Sequence, residues 1–225
     1  MAKLRDLENL IPDIAGVTPA RAHVWIMLSR KAGLFTSGGR GLNVPDIGPQ
    51  DLTNALLLSL QFNTPTEAPE AVPLLRALPF FTVKHDPGDG TFRDLDFDRL
   101  DRDHPETGRV LPEAFETRDQ VATLGDALDR LFTAGQQTPD LVFRHTFDRI
   151  THDLRGEIST VALELADPEH NNGWPEGPKA WRFVFEAETE AGTYDKRRGR
   201  FGTTTAKTIH GDALRAMRDL IAGAD

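Results

Sequence analysis

The sequence predicts an α+β protein, with a helical unit at the N-terminus followed by an α+β domain built on an antiparallel sheet. Three observations carry that expectation. Through residues 1–62, apolar residues recur at helical spacing between recognisable caps. A Pro-rich stretch, NTPTEAPEAVP, then interrupts the pattern at 63–73. Beyond Pro79, runs of β-branched and aromatic residues alternate with Gly- and Asp-containing turns. The expected division is 1–62 for the helical unit, 63–79 for a linker with a short helix, and 80–225 for the α+β domain. A length of 225 residues suits one large domain or two small ones.

The elements follow in order. Leu4, Leu7, Leu10, Ile11 and Ile14 make one apolar face of a first helix over 3–15, with Pro12 inside it and Gly16 ending it. Thr18 is a good N-cap and Pro19 a good first residue, so a second helix runs from 19 to 32 and Gly33 closes it. Its Ala22, Trp25 and Ile26 face inward. A glycine-rich loop through 34–48 leads to a third helix over 49–61, around the apolar stretch LTNALLLSL. A short helix is expected at 70–78. Residues 80–84 and 91–97, joined by HDPGDG, read as a hairpin. Thr117 starts an amphipathic helix with Val121, Leu124, Leu128, Leu131 and Phe132 on one face, stopped by Gly135. Residues 139–154 read as helical or mixed. Strands are expected at 158–165, 180–186 and near 202–209, and DALRAMRDLIAG closes the chain as a helix.

Composition bounds the function. There is no cysteine, which removes disulfides, thiolate metal sites and a cysteine nucleophile, and fits a reducing cytoplasm. No apolar run reaches the roughly 20 residues of a membrane span, and the first residues lack a secretory signal pattern. The net charge is −9, but it is uneven. Residues 1–50 hold six Lys/Arg against four Asp/Glu, whereas 111–225 hold fourteen against twenty. A surface for nucleic acid therefore belongs in the N-terminal part or in a local C-terminal cluster.

A short helix, a Gly-containing turn and a second helix led by Thr18, Arg21, Ala22 and Trp25 have the dimensions of a groove-reading unit. There Arg21 is placed for guanine and Thr18 for phosphate, with Arg30, Lys31 and Arg40 adding phosphate contacts. The run TPARAHVWIMLSRKAGLFTSGGRG resembles the helix-turn-helix segments of bacterial and phage DNA-binding proteins. The matching features are the Thr-Pro helix start, the basic end at Arg30-Lys31 and the turn Ala32-Gly33-Leu34. The likeness covers about a fifth of the chain, and the run lacks a pair of wing strands. It implies double-stranded DNA as partner, in a phage-related or mobile-element setting, as a transcription regulator or a DNA-packaging recognition subunit. It also implies assembly into a homo-oligomer. The alternative is a structural or protein-partner module, and after that a metal-dependent enzyme.

Other constellations are weaker. Lys196, Arg197, Arg198 and Arg200, with Lys207 nearby, could follow a phosphate backbone or could shield a sheet edge; the acidic surroundings favour the edge role. Asp94, Asp96, Asp98, Asp101 and Asp103 fail the EF-hand pattern, because Arg99 and Pro105 stand where Gly and Glu are needed. His145 and His152 would share a helix face near Asp148 and Asp153, without an HExxH or GxSxG pattern. No P-loop occurs. The sequence thus points to no catalytic residues, no metal and no cofactor.

Overall fold

Twelve residues with apolar side chains at three- and four-residue spacing form α1 (Leu4–Ala15), which buries Leu7, Ile11 and Ala15. The computed structural model describes residues 2–37, 45–62, 64–86, 89–95, 122–137, 147–155, 158–166, 180–188 and 204–222. The Lys3 backbone N–H donates to Asp6 at 2.7 Å and opens α1. Gly16, at φ 64°, ends it in a left-handed turn that a side chain would resist. The helix α2 (Pro19–Lys31) starts as its residues dictate: Thr18 Oγ1 accepts the Arg21 N–H at 3.3 Å, and Pro19 takes the first position.

The helix α3 (Pro49–Leu60) is the axis of the molecule. Every residue from Asp51 to Leu60 is buried, so it packs on all sides, against α1, α4 (Ala68–Arg76), α5 (Leu124–Gln137) and α6 (Gly211–Ala222). Ser59 Oγ donates to the Ala55 carbonyl at 2.8 Å and Asn54 Nδ2 to that of Leu34, whereas the buried Thr53 hydroxyl has no partner among the described residues. Arg76 of α4 reaches Asn54 Oδ1 at 3.0 Å and pairs with Asp129 of α5. A Cβ at Gly125 would stand 3.1 Å from the Arg76 carbonyl, so glycine permits this close approach of α5 to α4.

The strands β1 (Phe80–Asp86), β2 (Arg93–Leu95), β3 (Phe147–Arg155), β4 (Ile158–Ala166), β5 (Ala180–Glu188) and β6 (Thr204–His210) form one antiparallel sheet in the order β2-β1-β5-β4-β3-β6. The expected hairpin is present as β1 and β2. One face of the sheet carries Val83, Ile150, Val161, Leu163, Phe183, Phe185 and Ile209 into a hydrophobic core shared with α1–α6. The opposite face carries a row of charge across four strands, Lys84, Arg182, Glu164 and Arg149, in which Glu164 accepts from Arg149 at 2.7 Å and Arg182 at 2.9 Å. Residues 63–79, expected as a linker with a short helix, include α4, whose Ala68, Val72 and Leu75 belong to that same core.

Two expectations are corrected. The described part of 139–154 is the strand β3, not helix: Ile150, His152 and Leu154 point into the core while Arg149, Thr151 and Asp153 are only partly buried. That is a period of two, hidden in the sequence because a histidine holds one of the inward positions. Gly135 does not stop α5, which continues to Gln137. Val121 and the start of that helix at Thr117 lie outside the described residues. The helix is capped instead by Thr123, whose Oγ1 accepts the Asp126 N–H at 3.2 Å and donates to its carboxylate at 2.7 Å. Thr123→Ala should lower stability by about 1 kcal/mol, read as a shift of the urea midpoint; an unchanged midpoint would mean α5 is held by packing alone.

Candidate nucleic-acid interface

The helix α2 buries Ala22, Trp25, Ile26 and Ser29, so one stripe is fixed in the core and the remainder is presented outward. At 3.6 residues per turn the stripe farthest from the core carries Ala20, Val24, Met27 and Lys31. His23 and Arg30 project on one flank of that ridge and Arg21 on the other.

The first flank opens into a cleft of about 920 Å³ between α1 and α2, whose lining includes Lys3, Arg5, Glu8, His23, Met27, Arg30 and Lys31. Lys3 Nζ is bound to Asp46 at 2.7 Å, and Glu8 and His23 Nδ1 stand 2.6 Å apart. Arg5, Arg30 and Lys31 have no ion-pair partner among the described residues. The cleft is therefore cationic, with Met27 giving it an exposed apolar patch.

On the second flank, the Arg21 guanidinium lies 5.0 Å from the Trp25 ring centroid. Lys207 Nζ of β6 lies 5.8 Å from the same ring. Lys207 opposes His152 across the β3–β6 ladder and so shares the helix-facing side of the sheet. Burial and then the Arg21 charge push the Lys207 ammonium down to about 8.

Of the expected contact residues, Thr18, Arg21, Arg30 and Lys31 are exposed on α2 or at its start. Trp25 is 1% exposed, and its indole forms the floor beneath Arg21 and Lys207. Its place is the core, the other expectation made for it, and a direct contact with a base is closed to it in this conformation. Arg40, Lys196, Arg197, Arg198 and Arg200 lie outside the described residues. So do Asp96, Asp98, Asp101, Asp103 and His145; Asp94 is paired with Lys84 at 3.0 Å. Lys3 and Arg5 were missed, although both stand on the polar side of α1 or just before it. The convergence of Lys207 with Arg21 was missed too, since it depends on strand order.

His152 does not stand on a helix beside His145. Its Nδ1 contacts the Leu60 carbonyl at 3.1 Å and its Nε2 the Ser159 hydroxyl at 2.9 Å. The carbonyl can only accept, so Nδ1 carries the proton and the serine donates to Nε2. A serine–histidine pair of this kind is the start of a nucleophilic site, but both residues are fully buried and no substrate reaches them. The pair instead ties the end of α3 to the centre of the sheet.

No family model, curated protein or solved structure matches the chain. Among the described residues, no group of three or more His, Asp or Glu could hold a metal ion, and no helix is long and apolar enough to cross a membrane.

Proposed function

We propose that the chain binds double-stranded DNA through α2. The observation that carries this reading is the distribution of charge around that helix. Its outward ridge is small or apolar through Ala20, Val24 and Met27 and ends in Lys31, and cations stand on both flanks. A helix lying in a major groove meets base edges along its outward stripe and a phosphate strand on either side. In this arrangement Arg30, Lys31 and Arg5 face one strand and Arg21 the other. Val24 and Met27 offer apolar contact to thymine methyl groups.

The flank position makes Arg21 a strand contact in this reading, rather than the guanine reader expected from its place in the helix. The regulator and packaging roles both use such a unit. The reading includes assembly of two or more copies, because one helix-turn-helix makes few contacts and such proteins pair half-sites.

An electrophoretic shift with duplex DNA across a salt series tests the proposal. Affinity should fall linearly on a log–log plot, with a slope of about −0.9 for each phosphate neutralised. The double variant Arg30→Gln, Lys31→Gln should flatten that slope by about 2 and weaken specific and random duplexes alike. A full chain that binds no duplex at low salt would overturn the reading.

A further inference from the structure

We propose that Arg21, Lys207 and the Trp25 indole form a discrete phosphate-group site between α2 and the edge strand β6. Three observations meet there. The first is two cations from elements 186 residues apart in sequence, converging on one ring at 5.0 and 5.8 Å. The second is the want of a counter-charge. Neither cation has a carboxylate partner among the described residues, although Lys207 is half-buried. The face of the ring attracts each cation, but the two like charges still repel one another, and an anion between them would relieve that repulsion.

The third observation is the indole itself. Trp25 Nε1 is buried with no hydrogen-bond partner, and an unsatisfied donor of this kind is uncommon in a folded core. The cations lie over the ring face and the N–H lies in its plane, so a phosphate group at the rim of the ring could take the guanidinium and the ammonium on some oxygens and the indole N–H on another. The lowered affinity of Lys207 for its proton agrees, since an anion at this position would restore it. Both cations are carried on long side chains, one from an exposed helical position and one from a sheet edge, so both can open to admit the group.

The phosphate group has two sources, free phosphate and the backbone of a duplex, and only the second rests on the proposed DNA reading. The test uses the full chain and two probes. Inorganic phosphate is titrated against chloride at constant ionic strength, and the Trp25 indole N–H resonance, assigned with Trp25→Phe, is followed by NMR. Duplex DNA is then titrated by electrophoretic shift across salt. Lys207→Met keeps the stem and removes the charge, and Arg21→Gln is a second variant at an exposed position; the same spectra report that each is folded.

A saturable shift of the indole resonance with inorganic phosphate, lost in both variants, supports the site with free phosphate as its source. An unmoved resonance together with a duplex salt slope flattened by about 1 in Lys207→Met supports it with the DNA backbone as source. If phosphate shifts the resonance while duplex binds to neither wild type nor variant, the site stands and the DNA reading falls. If phosphate leaves the resonance unmoved, and either no duplex binds or Lys207→Met binds duplex with the wild-type slope, the site is overturned, whatever α2 does.

Discussion

Lowering the pH from 7 to 4 is expected to remove about 3 kcal/mol of folding stability through His152 alone. Its imidazole is fully buried between α3 and the sheet, with Phe62 tilted against it at 4.8 Å between ring centroids. Burial pushes it from its ordinary value near 6.5 down to about 4; Lys207 acts in the same direction, while the Leu60 carbonyl and Asp153 oppose it. In the unfolded chain the ring takes up a proton below about 6.5. In the folded chain it stays neutral until about 4. Between those values the unfolded state holds the extra proton, so the contribution is full above 6.5, declines as the pH falls, and is gone below 4. A difference of that size corresponds to about 3 kcal/mol, a large part of the 5–15 kcal/mol that holds a typical domain together. Urea titrations at pH 6.5 and 4.5 on wild type and His152→Gln give the measurement. Glutamine can donate and accept without titrating, so the variant is less stable at pH 6.5 but loses less on acidification. Equal losses in the two proteins would show that His152 is not the group responsible, because all other carboxylates and histidines are common to both.

The helical part of the fold was legible because its boundaries are chemical. Thr18-Pro19, Gly16 and Gly33 each meet a backbone requirement that few residues satisfy, and the helix ends fall where those residues stand. The all-apolar stretch in α3 could be read as buried, though not as the helix around which the rest is packed. Strand β3 escaped because His152 occupies an inward position, where its polarity breaks the apolar alternation. The same disguise hides the second cationic flank. In β6, Lys207 and Ile209 share one side of the strand, so a lysine stands in an inward phase. That phase was the available signal, and it was masked by the more conspicuous basic run at 196–200. What joins Lys207 to Arg21 is the pairing of β6 with β3 at the sheet edge beside α2, a long-range arrangement that local spacing does not encode.

Replacing Asp51 is expected to have an effect as large as that of His152, and one that reaches the proposed interface. Asp51 is 2% exposed at the first turn of α3. Its carboxylate accepts from the Thr36 N–H at 2.7 Å, the Thr36 hydroxyl at 2.7 Å and the Gly48 N–H at 2.9 Å. Hydrogen bonds to a charged acceptor contribute roughly 1.5–3 kcal/mol each, and three on one group are not additive. Asp51→Ala, which strands three donors in a part-buried place, should therefore cost about 3 kcal/mol in urea unfolding, and Asp51→Asn less, because one acceptor oxygen is kept. The consequence for binding follows from where the donors lie. Thr36 and Gly48 stand on either side of the stretch that contains Arg40, so one carboxylate holds both of its ends against α3. If Arg40 contacts phosphate, Asp51→Asn should weaken duplex binding in the presence of Arg40 and have little further effect in Arg40→Ala. Such non-additivity in a double-mutant cycle measures the coupling between the clamp and the arginine. Additive losses would mean that Asp51 supports only the fold, and that Arg40 finds its position without it.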